Sequence, residues 1–199
     1  MSQRVEFFFD VGSPASYLAW TQLPALCAAA GATLVHRPML LGAVFQATGN
    51  ASPVAVPAKG RYTMLDLARF ARRYGVPLVH NPHFPIVTLT LMRAATGVQM
   101  RMPGRFDDFL RCVFKAIWVD AQNLNDPALT AQVLAQAGFD PTQTVALAGD
   151  AEVKAALRAT TDEAVARGVF GAPTMFIGEH MFFGQDRLDF VREALAAAA

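Results

Sequence analysis

The chain has 199 residues, 53% hydrophobic and 17% charged, which suits one sizeable domain or a compact scaffold carrying an insertion and excludes an intrinsically disordered chain. Lys+Arg at 17 against Asp+Glu at 16 gives a net charge of +1, so no basic excess stands ready to neutralise phosphates, and no nucleic acid partner is expected. Gly 14 and Pro 12 exclude fibrous and low-complexity classes, and the two cysteines, Cys27 and Cys112, lie too far apart for a C-x-x-C redox motif or a Cys-based zinc site.

Arg4 to Phe9 (RVEFFF) is short, apolar and aromatic, as a buried strand is. It ends in the turn cluster Asp10-Val11-Gly12-Ser13. Pro14 then suits a first helical turn, where its missing N–H costs nothing, and Ser13 falls at the N-cap. The predicted helix runs through Tyr17, Leu18, Trp20 and Leu26 and stops near Gly31. No charge falls between Val11 and Val35, but Ser13, Pro14, Ser16, Gln22 and Pro24 make the run too polar to span a membrane. A helix buried between a sheet and another layer is the expectation, with a second strand at Thr33 to Arg37 completing a right-handed βαβ unit.

Residues 43–74 hold a Gly/Asn/Ser/Pro-rich loop (TGNASPVAVPAKG) and then a helical pattern, RYTMLDLARFARRYG, with basic residues on one face. Further helical stretches are predicted at 86–96, 106–121, 127–137 and 151–167, with glycine stops at Gly97, Gly138 and Gly168. Strand character returns at Pro173 to Ile177 and Met181 to Phe183, a hairpin, before Gly184-Gln185-Asp186-Arg187 leads into a closing amphipathic helix. The sum is an α/β fold: a thioredoxin-like four-stranded mixed sheet, βαβ…ββα, with residues 1–42 and 169–199 as the thioredoxin-like domain and residues 43–168 as an inserted all-helical domain. The N-terminal MSQRVEFFFDVGSP is too short an apolar run for a signal peptide, and sparse cysteine suits a reducing compartment, so cytoplasmic residence is expected.

Candidate chemistry begins at Ser13. The helix behind it presents unpaired N–H groups and a positive dipole end, which favour an anion, and a thiolate there would gain a charge-assisted bond from the hydroxyl. The same serine can equally be an ordinary N-cap. Ala172-Pro173 enters the late strand, where a cis bond would let Ala172 offer its backbone to an extended peptide and a trans bond would merely start the strand. Asp186 can cap the last helix or receive a ligand ammonium, with Arg187 taking a carboxylate; Lys59 is either a carboxylate partner or a solvated loop lysine. His80 and His83 form an H-x-x-H broken by Pro82 and Pro85 and lacking further ligands, so no metal site is expected. No Walker loop, G-x-G-x-x-G or G-x-S-x-G appears.

FFFDVGSPASYLA, RPMLLGAVFQATGN with KGRYTMLDLAR, and GVFGAPTMFIGEHMFFGQDRLD, in that order along nearly the whole chain, resemble the 2-hydroxychromene-2-carboxylate isomerase family. That family is glutathione-dependent and belongs to the kappa-class glutathione transferase group of the DsbA-type thioredoxin fold. The resemblance implies Ser13 as the catalytic serine beside the glutathione sulfur, with Asn50, Pro53 and Lys59 in a glutathione-side loop. It implies Ala172 before Pro173 pairing with the cysteinyl backbone, and Asp186 and Arg187 holding the γ-glutamyl end. Val11-Gly12 stands where bulkier residues are common in the family, implying a reshaped pocket. It implies a homodimer and a small aromatic substrate in naphthalene-type catabolism. His83, Arg93 and Trp118 are candidates for the substrate carboxylate. A kappa-like transferase, a thiol-disulfide oxidoreductase (disfavoured because Ser13 and Ser16 stand where a C-x-x-C pair would) and a non-catalytic thiol-binding module are the rival readings.

Overall fold

The computed structural model describes residues 3–197; the terminal residues 1–2 and 198–199, assigned above to the thioredoxin-like domain, lie outside the described residues. Strand β1 (Arg4–Phe9) leads through the Asp10–Ser13 turn into α1 (Pro14–Ala29), and β2 (Thr33–Pro38) returns parallel to β1, with Phe8 opposite Arg37. Strands β3 (Thr174–Ile177) and β4 (His180–Phe183) form an antiparallel hairpin, and β3 pairs antiparallel with β1 through Phe8 and Thr174. The sheet order is β2-β1-β3-β4. Between β2 and β3 lie α2 (Leu41–Thr48), α3 (Pro57–Tyr74), α4 (Leu89–Arg101), α5 (Phe106–Trp118), α6 (Pro127–Gln136), α7 (Pro141–Gly149) and α8 (Ala151–Ala166), and α9 (Leu188–Ala197) closes the chain.

The pleat of β1 explains why both faces of the sheet are covered. Val5, Phe7 and Phe9 point into the main core with Leu18 and Leu23 of α1 and Phe109, Phe114 and Trp118 of α5. Phe8 points the other way, into a smaller cluster with Met39, Val44, Ala164, Val169 and Phe176. Where the strand is buried on both sides it has no use for alternation, which is why Phe7, Phe8 and Phe9 run together, while the exposed Arg4 and half-buried Glu6 keep their charges. Among the described residues, no helix is long and apolar enough to cross a membrane.

Two helices escape the sequence reading, α2 and α7, and several boundaries move. The helix expected at 86–96 starts at Leu89 and runs through Gly97 to Arg101. Gly97 does not stop it, because a Cβ there would lie 2.6 Å from Leu147 Cβ of α7: the glycine serves close helix packing. The helix expected at 106–121 ends at Trp118, and that expected at 151–167 ends at Ala166. Gly138 and Gly168 do stop α6 and α8, with φ of 74° and 85°.

Candidate active site

Ser13 caps α1. Its backbone is extended, its Oγ accepts the Ser16 N–H at 3.1 Å, and Pro14 fills the first helical position. The hydroxyl proton goes to the Ala172 carbonyl at 3.0 Å, across a separation of 159 residues, and Ala172-Pro173 is a cis bond. The cap bond fixes the oxygen, so only the proton need swing for Ser13 to serve another acceptor. Ser13 is 5% exposed. Ser16 is fully buried, and among the described residues its own hydroxyl has no hydrogen-bond partner.

The turn before Ser13 is held from several sides. Ser13 N–H donates to Asp10 O at 3.0 Å, and Val11 N–H reaches Met92 Sδ of α4 at 3.4 Å. The Trp118 indole donates to Val11 O at 2.8 Å. Trp118, a candidate for the substrate carboxylate, is fully buried with its donor spent on this turn, so it is a structural residue. Asp10 is 1% exposed; burial pushes its carboxyl pKa up, against hydrogen bonds from Gly12 N, Leu41 N and Thr88 Oγ1 that favour the ionised form.

The remaining predicted residues fall into two groups. Asn50 sits just beyond α2 and donates to Phe170 O at 2.8 Å, two residues before Ala172. Gly184 N–H donates to Pro173 O at 3.0 Å, which brings the turn Gln185–Arg187 to the same strand entrance. Asp186 and Arg187 there pair with each other, Nη1 to Oδ2 at 2.5 Å. Ser13, Ala172, Pro173, Asn50, Asp186 and Arg187 are thus gathered around one hub, the backbone carbonyls of Phe170, Ala172 and Pro173. Pro53 and Lys59 are not tied to that hub. Pro53 opens a 3-10 turn, Pro53–Ala55, whose Val54 folds onto Gly60, and Lys59 is exposed in the first turn of α3. The far end of α3 reaches the hub instead, where Tyr74 Oη donates to Gln185 O at 2.5 Å.

A cleft of about 430 Å³ lies between α1, α3 and α9, lined by Gln22, Leu26, Phe70, Arg73, Asp186 and Arg192 among others. It takes in Asp186 but not Ser13. His80 and His83 are exposed, and among the described residues no three His, Cys, Asp or Glu side chains gather as a metal site would need. Burial pushes both thiols, Cys27 and Cys112, up to about 11, so neither is a nucleophile at neutral pH. The sequence reading passed over Asp10 and Thr88. The signal for Asp10 was present, since an acid closing a fully buried strand must meet several donors. Thr88 carried none, because its partner is 78 residues away.

A family model described as a DSBA-like thioredoxin domain matches residues 4–196. A 2-hydroxychromene-2-carboxylate isomerase from Sphingobium xenophagum is 30% identical, over 98% of this chain and 99% of its own. A glutathione S-transferase kappa 1 from Rattus norvegicus is 28% identical, over 94% of this chain and 88% of its own. The solved structure of a 2-hydroxychromene-2-carboxylate isomerase matches with a TM-score of 0.84 at 28% identity, covering 98% of this chain and 95% of that one.

Proposed function

The chain belongs to the DSBA-like thioredoxin domain family, and on that premise we propose that it is a glutathione-dependent cis–trans isomerase. In this reading it interconverts 2-hydroxychromene-2-carboxylate, the compound in the names of its isomerase relatives, and trans-o-hydroxybenzylidenepyruvate. The single observation that carries the reading is the position of the Ser13 hydroxyl, at the start of α1 and 3.0 Å from the Ala172 carbonyl.

The donor set fits an anionic tripeptide thiol. Arg187 and Lys59 offer cations for its two carboxylates, Asp186 offers an anion for its ammonium, and the backbone at Ala172 offers an edge for its extended chain. Glutathione held there would supply a nucleophilic sulfur able to add to and leave a conjugated carbon of the ring-opened substrate, the chemistry that a cis–trans isomerisation needs. With the thiol bound, Ser13 would turn its hydroxyl proton from Ala172 O to that sulfur. The α1 dipole adds a positive potential at the same point, and together they hold the sulfur ionised. Lys59, in the first turn of α3, reaches the hub only if the segment from Asn50 to Val56 shifts toward it.

In this reading residues 1–42 and 169–199 form the thioredoxin-like domain that supplies Ser13, Ala172, Asp186 and Arg187, and residues 43–168 form the inserted helical domain that adds Asn50, Pro53 and Lys59. The protein acts in the cytoplasm, as a homodimer, in aromatic catabolism of the naphthalene type. The test is spectral: protein, glutathione and 2-hydroxychromene-2-carboxylate are mixed and benzylidenepyruvate formation is followed. Turnover that needs glutathione, and that falls by roughly 10- to 100-fold in Ser13→Ala, is expected from losing one hydrogen bond to a charged group. Equal rates without glutathione overturn the reading. The kappa-class relatives favour one alternative, a transferase, and a stable glutathione conjugate accumulating in the same assay would select it.

A further inference from the structure

Asp10 has more partners than a strand-ending residue needs. Its Oδ1 accepts Gly12 N–H at 2.9 Å, and its Oδ2 accepts Leu41 N–H at 2.9 Å and the Thr88 hydroxyl at 3.0 Å. These donors come from three places: the turn carrying Ser13, the first residue of α2 and the residue that opens α4. Both helices lack a side-chain cap of their own. Leu40, before α2, cannot supply one, and Asp10 does so from another element. Thr88 could cap α4 but gives its hydroxyl to Asp10 instead.

Gly12 completes the set by its lack of a side chain. Its φ is not among the positive ones, so its backbone does not call for glycine. The space does: a Cβ there would stand 2.7 Å from Thr88 Cγ2 and 3.3 Å from Asp10 Oδ1. Thr88 cannot swing its methyl aside and keep its bond, because methyl and hydroxyl share one Cβ. The geometry points to Asp10, Gly12 and Thr88 as a matched set of positioning residues that hold the Ser13 turn against the starts of α2 and α4. The set acts on both sides of the hub, since α2 leads straight to Asn50 and its bond to Phe170. The consequence for turnover rests on the proposed role of Ser13; the positioning itself does not.

The test compares wild type, Gly12→Ala, Thr88→Ser, the double variant Gly12→Ala/Thr88→Ser, and Asp10→Asn. Two quantities are read: amide hydrogen exchange at Ser13, Ser16, Tyr17 and Leu41 in the protein without glutathione, and kcat with glutathione saturating. Gly12→Ala and Asp10→Asn speed exchange at the starts of α1 and α2 by about tenfold, a local opening made easier. They lower kcat on the order of 100-fold, as misplacing a reacting group by about 1 Å does, with a smaller change in KM for glutathione. Thr88→Ser, which keeps the hydroxyl, matches wild type. The double variant removes the obstructing methyl, and it recovers wild-type exchange. Wild-type exchange in Gly12→Ala, or failure of Thr88→Ser to rescue it, overturns the assignment. Should wild type show no glutathione-dependent turnover, the proposed function falls while the exchange pattern still decides the positioning. If Asp10→Asn fails to fold, the Gly12 and Thr88 variants decide it alone.

Discussion

Ser13 combines a structural and a chemical task in one oxygen. As a cap it stabilises α1 by about 1 kcal/mol, so Ser13→Ala should lower the melting temperature by a few degrees as well as slow turnover. Ser13→Thr, which keeps an Oγ, should restore more of the melting temperature than of the rate, because its extra methyl crowds the Ala172 side. The cysteines belong to the opposite class. With both thiols held up to about 11, Cys27→Ala/Cys112→Ala should leave glutathione-dependent turnover intact, whereas loss of activity would revive disulfide chemistry. His36 sets an acid limit on the fold. Its ring lies among Phe7, Phe9 and Phe106, its Nε2 has no hydrogen-bond partner among the described residues, and burial holds its pKa below 6.5 despite the pull of Asp107. The unfolded chain therefore binds this proton more readily than the folded one. Stability is full above about pH 6.5 and declines as pH falls below it. Urea midpoints at pH 7.5 and 5.5 should show that loss, and His36→Phe should flatten it.

At the level of elements, a few long-range contacts do most of the joining. Arg37 and Arg167 bracket Glu6 of β1 and Glu163 of α8, and the Arg167 guanidinium lies 3.8 Å over the Phe176 ring. The four side chains are only partly exposed, so the network ranks between a surface pair and a buried one. Arg167→Ala should cost about 2 kcal/mol in urea unfolding, and Arg167→Lys should recover charge but not the stack. The α4–α7 contact depends on Gly97. Gly97→Ala gains helix propensity but drives a methyl into Leu147, for a net loss of about 1 kcal/mol. These contacts also explain what sequence patterns missed. Gly97 looks like a helix stop because local rules cannot see Leu147, fifty residues away. Helix α2 begins without a local cap, because its cap is Asp10, and α7 is only nine residues long.

Over the whole molecule, the parts legible in the sequence were those whose physics is local. RVEFFF marks a doubly buried strand, Ser13-Pro14 marks a helix start, and the hairpin with its closing helix follows from turn residues and periodicity. The convergence of Ser13 and Ala172 on one site came through the resemblance rather than from spacing, and the strand order was not read at all, since both join distant stretches. The clamp around Asp10 was illegible because each of its partners looks ordinary alone. The central claim is electrostatic: the Ser13 end of α1 keeps a bound thiol ionised. The most direct measurement is a pH titration of thiolate ultraviolet absorbance for glutathione bound to wild type and to Ser13→Ala. The account predicts a bound thiol titrating at least about one pH unit below a free cysteine thiol, near 8.5, and moving back toward it in the variant. A bound thiol that titrates like the free one in wild type would contradict the account.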